Sequence, residues 1–290
     1  MLSKAYPSKI LLFGEYTVTL GSPALAIPFF NQSGRWILLE NHQSDELMAF
    51  YRFLRNENTI NFLDLSAFEK DIQQGLLFES NIPQGYGQGS SGALVAAVYD
   101  TYKTDSINDL EILCFRLSSM ESFYHGSSSG IDPLVSYTKE PILINKDKSI
   151  EICHYPTQCP YSFFLLDTHI SRKTQKMVQI FQQKMKEHVD FKMVVDRLSQ
   201  LNQNIIQAFI NGEYELMWTL GQKISQVQWT HFNEFIPSNQ LEIWKDSCVS
   251  EVFFLKLCGA GGGGYNLGCT LDVNAVFHKF QKHSPIWLTL

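Results

Sequence analysis

Apolar positions dominate the opening of the chain. Ser8 to Leu20 reads as strand material, the Gly21-Ser22-Pro23 turn follows, and a second apolar run covers Ala24 to Phe30. Arg35 to Glu40 and Leu47 to Leu54 carry β-formers with partial alternation, which predicts a strand-rich first third. From Ser90 the period changes. Ala93, Leu94, Ala97 and Val98 recur at helical spacing directly after a run of glycines, the pattern of a loop feeding a helix N-terminus. A second helix follows, capped by Asn108 or Ser106, with Leu110, Leu113, Leu117 and Met120 as its stripe up to Ser122. Gly126 and Pro133 bracket the loop after it.

Strand patterns resume at Ile142 to Asn145, Ile150 to His154 and Ser162 to Asp167, and Ser171 to Gln228 is mostly helical in pattern. Val252 to Leu257, the glycine run Gly259 to Gly264 and Tyr265 to Cys269 lead to a helix and a last strand at Pro285 to Leu290. Pro156 and Pro160 mark the expected boundary between two domains, 1–155 and 156–290. There is no internal repeat or low-complexity tract.

Composition narrows the function classes. With 290 residues, 44% of them hydrophobic, the chain can bury a real core as one large domain or two modest ones. A formal net charge of −6 with no basic cluster argues against a nucleic-acid partner. The sequence has no apolar run long enough to span a bilayer, so the expectation is a cytoplasmic protein with no membrane partner. Its six cysteines, Cys114, Cys153, Cys159, Cys248, Cys258 and Cys269, form no CxxC pair, and reduced buried thiols are expected.

The segment Ile82-Pro83-Gln84-Gly85-Tyr86-Gly87-Gln88-Gly89-Ser90-Ser91-Gly92-Ala93 places glycines at alternate positions and two serines at a helix start. Bare backbone there can take unusual φ values and turn several N–H groups toward one anion. A mobile glycine turn is the alternative. Neither a Walker A loop nor a dinucleotide fingerprint fits, because no Lys-Ser/Thr follows the last glycine and the spacing differs.

This loop resembles the second motif of the GHMP kinases, the galacto-, homoserine, mevalonate and phosphomevalonate kinase superfamily. Ser8 to Val18 with Gly21 and Pro23 to Ala26 is similar to that family's first motif, and Lys256 to Gly264 to its third. The resemblance implies an α+β, two-lobed GHMP kinase fold: an N-terminal mixed α/β domain (ribosomal protein S5 domain 2-like) and a C-terminal ferredoxin-like α+β domain with helices on an antiparallel sheet. It also implies ATP as the phosphoryl donor, Mg2+ as the cofactor and a small-molecule alcohol as acceptor. Assembly as a homodimer is left open.

Glu121 stands at the end of a helical pattern, and the turn Ser127 to Pro133 could fold Asp132 back toward it. Phosphoryl transfer uses such a pair, one carboxylate to help hold Mg2+ and one to orient or deprotonate the hydroxyl. Glu121, His125, Gly126, Ser129, Gly130 and Asp132 resemble the mevalonate kinase element in which a Glu precedes a His-Gly-x-x-Ser-Gly-x-Asp turn. That resemblance implies Ser91 and Glu121 as Mg2+ ligands, Asp132 as general base and Lys9 near the hydroxyl and γ-phosphate. It further implies Pro83, Gly85, Gly87, Gly89, Ser90, Ser91 and Gly92 as the nucleotide-binding loop, and Glu15, Tyr16 and Gly261 as substrate-site positions. His125 reads as structural.

Taken singly, each of these has a plainer reading: a solvated helix-end Glu, an Asp that starts a turn, a Lys that points into water. Gln88 stands where the family usually has Leu, Gly92 where Ala is common, and Tyr16 where mevalonate kinases often have His. The acceptor therefore stays open among mevalonate, phosphomevalonate, homoserine and a sugar, as does a protein that binds nucleotide or metabolite without turnover. A phosphorylated acceptor would call for extra cations, for which Arg172 and Lys173 are the candidate pair.

Overall fold

The computed structural model describes residues 4–57, 60–156, 158–172 and 174–289. The chain divides into two compact units, neither of them one continuous stretch: Met1–Lys9, Ile27–Pro83 and Gln88–Ile142 form the first, and Ile10–Ala26, Gln84–Gly87 and Leu143–Leu290 the second.

The chain opens with strands β1 (Ala5–Phe13) and β2 (Ala24–Leu38), each shared between the units along its length. Helices α1 (Asp45–Asn56) and α2 (Leu65–Gln73), strand β3 (Leu76–Ser80), and helices α3 (Ser90–Tyr102), α4 (Leu110–His125) and α5 (Ile131–Thr138) follow. Then come β4 (Ile142–Ile144), β5 (Ile150–Ile152), β6 (Ser162–Asp167), α6 (Thr174–Glu187), α7 (Val189–Ile210), α8 (Tyr214–His231) and α9 (Leu241–Ser247). Strands β7 (Phe253–Leu257) and β8 (Tyr265–Thr270), helix α10 (Val273–Lys279) and strand β9 (Ile286–Trp287) complete it. One sheet has the order β1-β2-β4-β5 with β3 on β2, and the other the order β7-β8-β6-β9.

In the first unit β3 runs antiparallel to β2, with Gly34 opposite Ser80 and Leu38 opposite Leu76. Trp36 is fully buried and donates its indole N–H to Thr101 at 3.0 Å, so the bulkiest ring meets its one polar requirement inside the core. Helix α3 is buried from Gly92 to Tyr99 and packs on α4 and α5, which makes it the central rod of this unit.

The stretch Leu47 to Leu54 is helical rather than the expected strand. Leu47, Phe50, Tyr51 and Leu54 fall at i, i+3, i+4 and i+7 and are all buried, each worth about 1.5–3 kcal/mol for large apolar side chains. Ser44 caps the helix by accepting the Leu47 N–H. Residues Thr17–Leu20 form a short 3-10 turn instead of continuing β1. The cap of α4 is Asp109, whose Oδ1 accepts from the Glu111 and Ile112 amides at 2.9 and 3.0 Å, in place of Asn108 or Ser106. The turn expected around Asp132 is the first turn of α5, where Pro133 needs no helical N–H partner.

In the second unit β6, β7 and β8 pair antiparallel and match the predicted strands closely, with α8 packed on β7 and α7 on α8. Phe13, Phe163 and Phe209 meet edge to face in its core. Among the described residues no helix is long and apolar enough to cross a membrane.

Candidate active site

The glycine loop leaves β3 through Ile82 and Pro83 and ends at the start of α3. Gly85, Gly87 and Gly89 hold φ of 74°, 67° and 72°, a left-handed region that glycine enters without a Cβ penalty. The first N–H groups of α3 have no partner within the helix, and this end of it is the positive end of the helix dipole. Gly89 and Gly92 also serve close packing. A Cβ on Gly89 would lie 3.2 Å from Asp132 Oδ2, and one on Gly92 would lie 2.8 Å from the backbone of Asp132 and Pro133. The N-termini of α3 and α5 therefore meet with only glycine between them.

Asp132, in the first turn of α5, faces Lys9 from β1, with Nζ 2.8 Å from Oδ1. Lys9 is held in turn by its own backbone, whose N–H donates to the Gln88 carbonyl in the loop at 2.9 Å. Glu121, in the last turns of α4, is only 3% exposed. Its carboxylate accepts from Ser91 Oγ at 3.1 Å on one oxygen and from Ser128 Oγ on the other. Burial, and then the negative charge of Asp132, pushes the Glu121 carboxyl up from 4.5 to about 7, against the two serine hydrogen bonds and Lys9. Ser91 Oγ also lies 3.0 Å from His125 Nε2, and because the serine proton goes to Glu121, His125 donates to it.

The first unit thus brings together Lys9, Gly89, Ser91, Gly92, Glu121 and Asp132 from four segments of sequence. Pro83 and Ser90 flank that group along the loop. His125, expected to be structural, and Ser128, to which the sequence assigns no role, both touch it. His125 carried a signal, since it lies four residues after Glu121 on one helix face. Ser128 carried none beyond its place in a run of three serines.

Glu15, Tyr16 and Gly261 lie in the second unit. Glu15 is 1% exposed and ion-paired with Lys256 of β7, whose Nζ also donates to the Leu257 carbonyl at 2.8 Å. Burial pushes the Glu15 carboxyl up, and Lys256 opposes the shift. Tyr16 donates its hydroxyl to the Ala260 carbonyl at 2.6 Å and stacks on Phe181. Lys256 opens the segment similar to the third motif but carries no assigned role there, although a lone lysine in the apolar strand Phe253–Leu257 signals a buried partner.

Arg172 donates its backbone N–H to Gly85 at 3.0 Å and its Nη1 to the Cys258 carbonyl at 2.9 Å, and a Cβ on Gly87 would fall 1.1 Å from its Nη2. Lys173, its proposed companion, lies outside the described residues. Among the described residues no group of three His, Cys, Asp or Glu side chains converges as a metal cage. Mg2+ asks for less. It takes one or two carboxylates, completes its shell with water and phosphate oxygens, and matches the hard oxygen donors Ser91 and Glu121. A carboxylate whose burial disfavours its charge also gains from a cation beside it.

The fold is that of the GHMP kinases. It matches L. major mevalonate kinase in complex with R-mevalonate at TM-score 0.65 and 18% identity over 97% of this chain and 91% of that one. It matches Streptococcus pneumoniae phosphomevalonate kinase at TM-score 0.69 and 15% identity over 98% and 97%.

By sequence the chain is similar to mevalonate kinase. It is 30% identical to that of Pyrococcus abyssi over 160 residues, 45% of this chain and 47% of that protein, and 24% identical to that of Archaeoglobus fulgidus over 277 residues, 90% of each. The chain thus spans about half the length of the Pyrococcus relative and most of the Archaeoglobus one. No protein-family model matches it.

Proposed function

We propose that the chain transfers the γ-phosphoryl group of ATP to the hydroxyl of a small-molecule alcohol, with mevalonate as the leading acceptor. The observation that carries this is the meeting of Glu121, Ser91, Asp132 and Lys9 at the glycine-lined start of α3. The named relatives support ATP as donor and mevalonate as acceptor.

In this reading the amides of the loop and of the first turn of α3 cradle the phosphates, and the two converging helix N-termini favour the negative charge. Asp132 takes the proton of the acceptor hydroxyl as its oxygen forms the new bond to the γ-phosphorus. The bond from that phosphorus to the bridging oxygen breaks, and ADP leaves with the electron pair. Lys9, already within 2.8 Å of Asp132, offsets charge that develops on the transferring group. Ser91 and Glu121 would hold Mg2+, which when bound would neutralise part of the phosphate charge. Water is kept from Glu121 by its burial under α3 and the 127–130 turn.

A coupled assay of ADP release over mevalonate, phosphomevalonate, homoserine and galactose, with and without Mg2+, tests the proposal. Acceptor-dependent, Mg2+-dependent release with one of them is expected, and mevalonate should give the highest kcat/KM. Nucleotide binding with no turnover on any acceptor would replace the kinase by a binding protein.

A further inference from the structure

Ser128 has no part in the chemistry just described, yet it sits at the mechanical centre of the cluster. Its single proton goes to Glu121, and its oxygen accepts the Gly130 N–H at 2.9 Å. Gly130 is the N-cap of α5, two residues before Asp132, with φ 74° and no room for a side chain: a Cβ there would stand 2.3 Å from the Cys114 carbonyl on α4. The turn is pinned to α4 at two further points, by Ser118 Oγ donating to the Ser128 carbonyl at 2.6 Å and by Cys114 Sγ to the Ser129 carbonyl at 3.2 Å. One hydroxyl therefore ties the carboxylate of Glu121 to the turn that carries the other carboxylate.

We propose that Ser128 is a positioning residue that fixes the orientation of Glu121 relative to Asp132. Ser91 and Ser128 grip opposite oxygens of the Glu121 carboxylate, so both its rotation about the last side-chain torsion and its distance from α5 are determined. Without Ser128 one oxygen loses its donor, and the carboxylate can turn away from the orientation in which it faces Ser91. A residue that acts this way affects the chemical step and the cation more than it affects the acceptor. The inference rests on the kinase reading above.

The test uses the full chain and three variants, Ser128→Ala, Ser128→Thr and Glu121→Gln, with the double variant Ser128→Ala/Glu121→Gln. Steady-state kinetics with the acceptor found above is paired with Mn2+ binding in the presence of a non-hydrolysable ATP analogue, read from the loss of the free Mn2+ spin-resonance signal. Ser128→Ala is expected to lower kcat about tenfold and weaken Mn2+ by a similar factor, as loss of one hydrogen bond to a charged group implies. The acceptor KM should move less than about twofold, and Ser128→Thr, which keeps the hydroxyl, should restore kcat to within about threefold. On top of Glu121→Gln, Ser128→Ala should cost less than about twofold, because a residue acting through Glu121 has nothing left to act on.

Wild-type kcat and Mn2+ affinity in Ser128→Ala, or an equal loss with and without Glu121→Gln, overturns the inference while the kinase reading stands. A wild-type chain that neither holds Mn2+ with the analogue nor turns over any acceptor overturns the reading and the inference together. If Ser128→Ala fails to unfold cooperatively, Ser128→Cys, similar in size with a weaker donor, carries the same expectations.

Discussion

Replacing Glu121 by Gln should make the ligand-free protein more stable at alkaline pH than at acid pH, relative to wild type. The carboxyl is pushed up from 4.5 to about 7, chiefly by burial. In the unfolded chain it loses its proton as pH rises through about 4.5, whereas the folded chain holds that proton until about 7. Between those values the folded state binds more protons, so wild-type stability falls with rising pH, and the loss is complete above 7 and absent below 4.5. At about 1.4 kcal/mol per pH unit the interval from 4.5 to about 7 amounts to at most ~3.5 kcal/mol.

Gln is uncharged at every pH and escapes this loss. It cannot accept from both Ser91 and Ser128 as the carboxylate does, which adds a roughly constant cost of ~1–2 kcal/mol. The signature is thus a slope rather than an offset. Urea denaturation of metal-free, nucleotide-free protein at about pH 5 and about pH 8 reads it, with the variant gaining ~2–3 kcal/mol on wild type between the two. A difference between variant and wild type that stays the same at both pH values would refute the claim that Glu121 is buried against its own charge.

Asp132→Asn should lower the rate of transfer by a factor of about 10²–10⁴ while nucleotide affinity stays within about threefold, measured by steady-state kinetics and calorimetry; near-normal turnover would remove Asp132 as the base. Gly92→Ala should cost about 1–3 kcal/mol in urea denaturation, because its Cβ would stand 2.8 Å from backbone atoms of Asp132 and Pro133, which cannot yield as a side-chain tip could. A neutral result would mean that α3 and α5 are less closely opposed. Lys256→Met should destabilise by about 3–5 kcal/mol by leaving Glu15 buried without its partner, and adding Glu15→Gln should recover at least half of that; an unchanged double variant would show that the pair's charges are not the issue.

The architecture was legible wherever apolar period and punctuation agreed. Strand β6 was read to the residue, and α3 was marked by glycines followed by a 3.6-residue repeat. Composition misleads where it pulls against the period of a segment. Phe50, Tyr51 and Phe53 are good strand residues, but the spacing 47, 50, 51, 54 and a serine at the cap decide for a helix. Domain continuity was invisible for a different reason. Residues 10–26 and 84–87 cluster with a unit whose remaining chain begins at Leu143, and such long-range partners leave no local trace in sequence.

The site shows the same split between what backbone chemistry dictates and what packing supplies. Gly85, Gly87 and Gly89 announce themselves because left-handed φ leaves little choice of residue. Glu15 and Lys256 are separated by 241 positions, so only the rule that a charge in an apolar run needs a partner could have joined them. Glu121 is the instructive case. As a helix-end carboxylate it passes for a solvated charge, yet Leu113, Leu117, Met120 and Glu121 fall at i, i+4, i+7 and i+8 on the buried stripe of α4. An acid on that stripe cannot be a surface residue; it must be gripped by donors, protonated, or facing a cation. The structure supplies the donors in Ser91 and Ser128, and burial with the nearby charge of Asp132 pushes its proton affinity up.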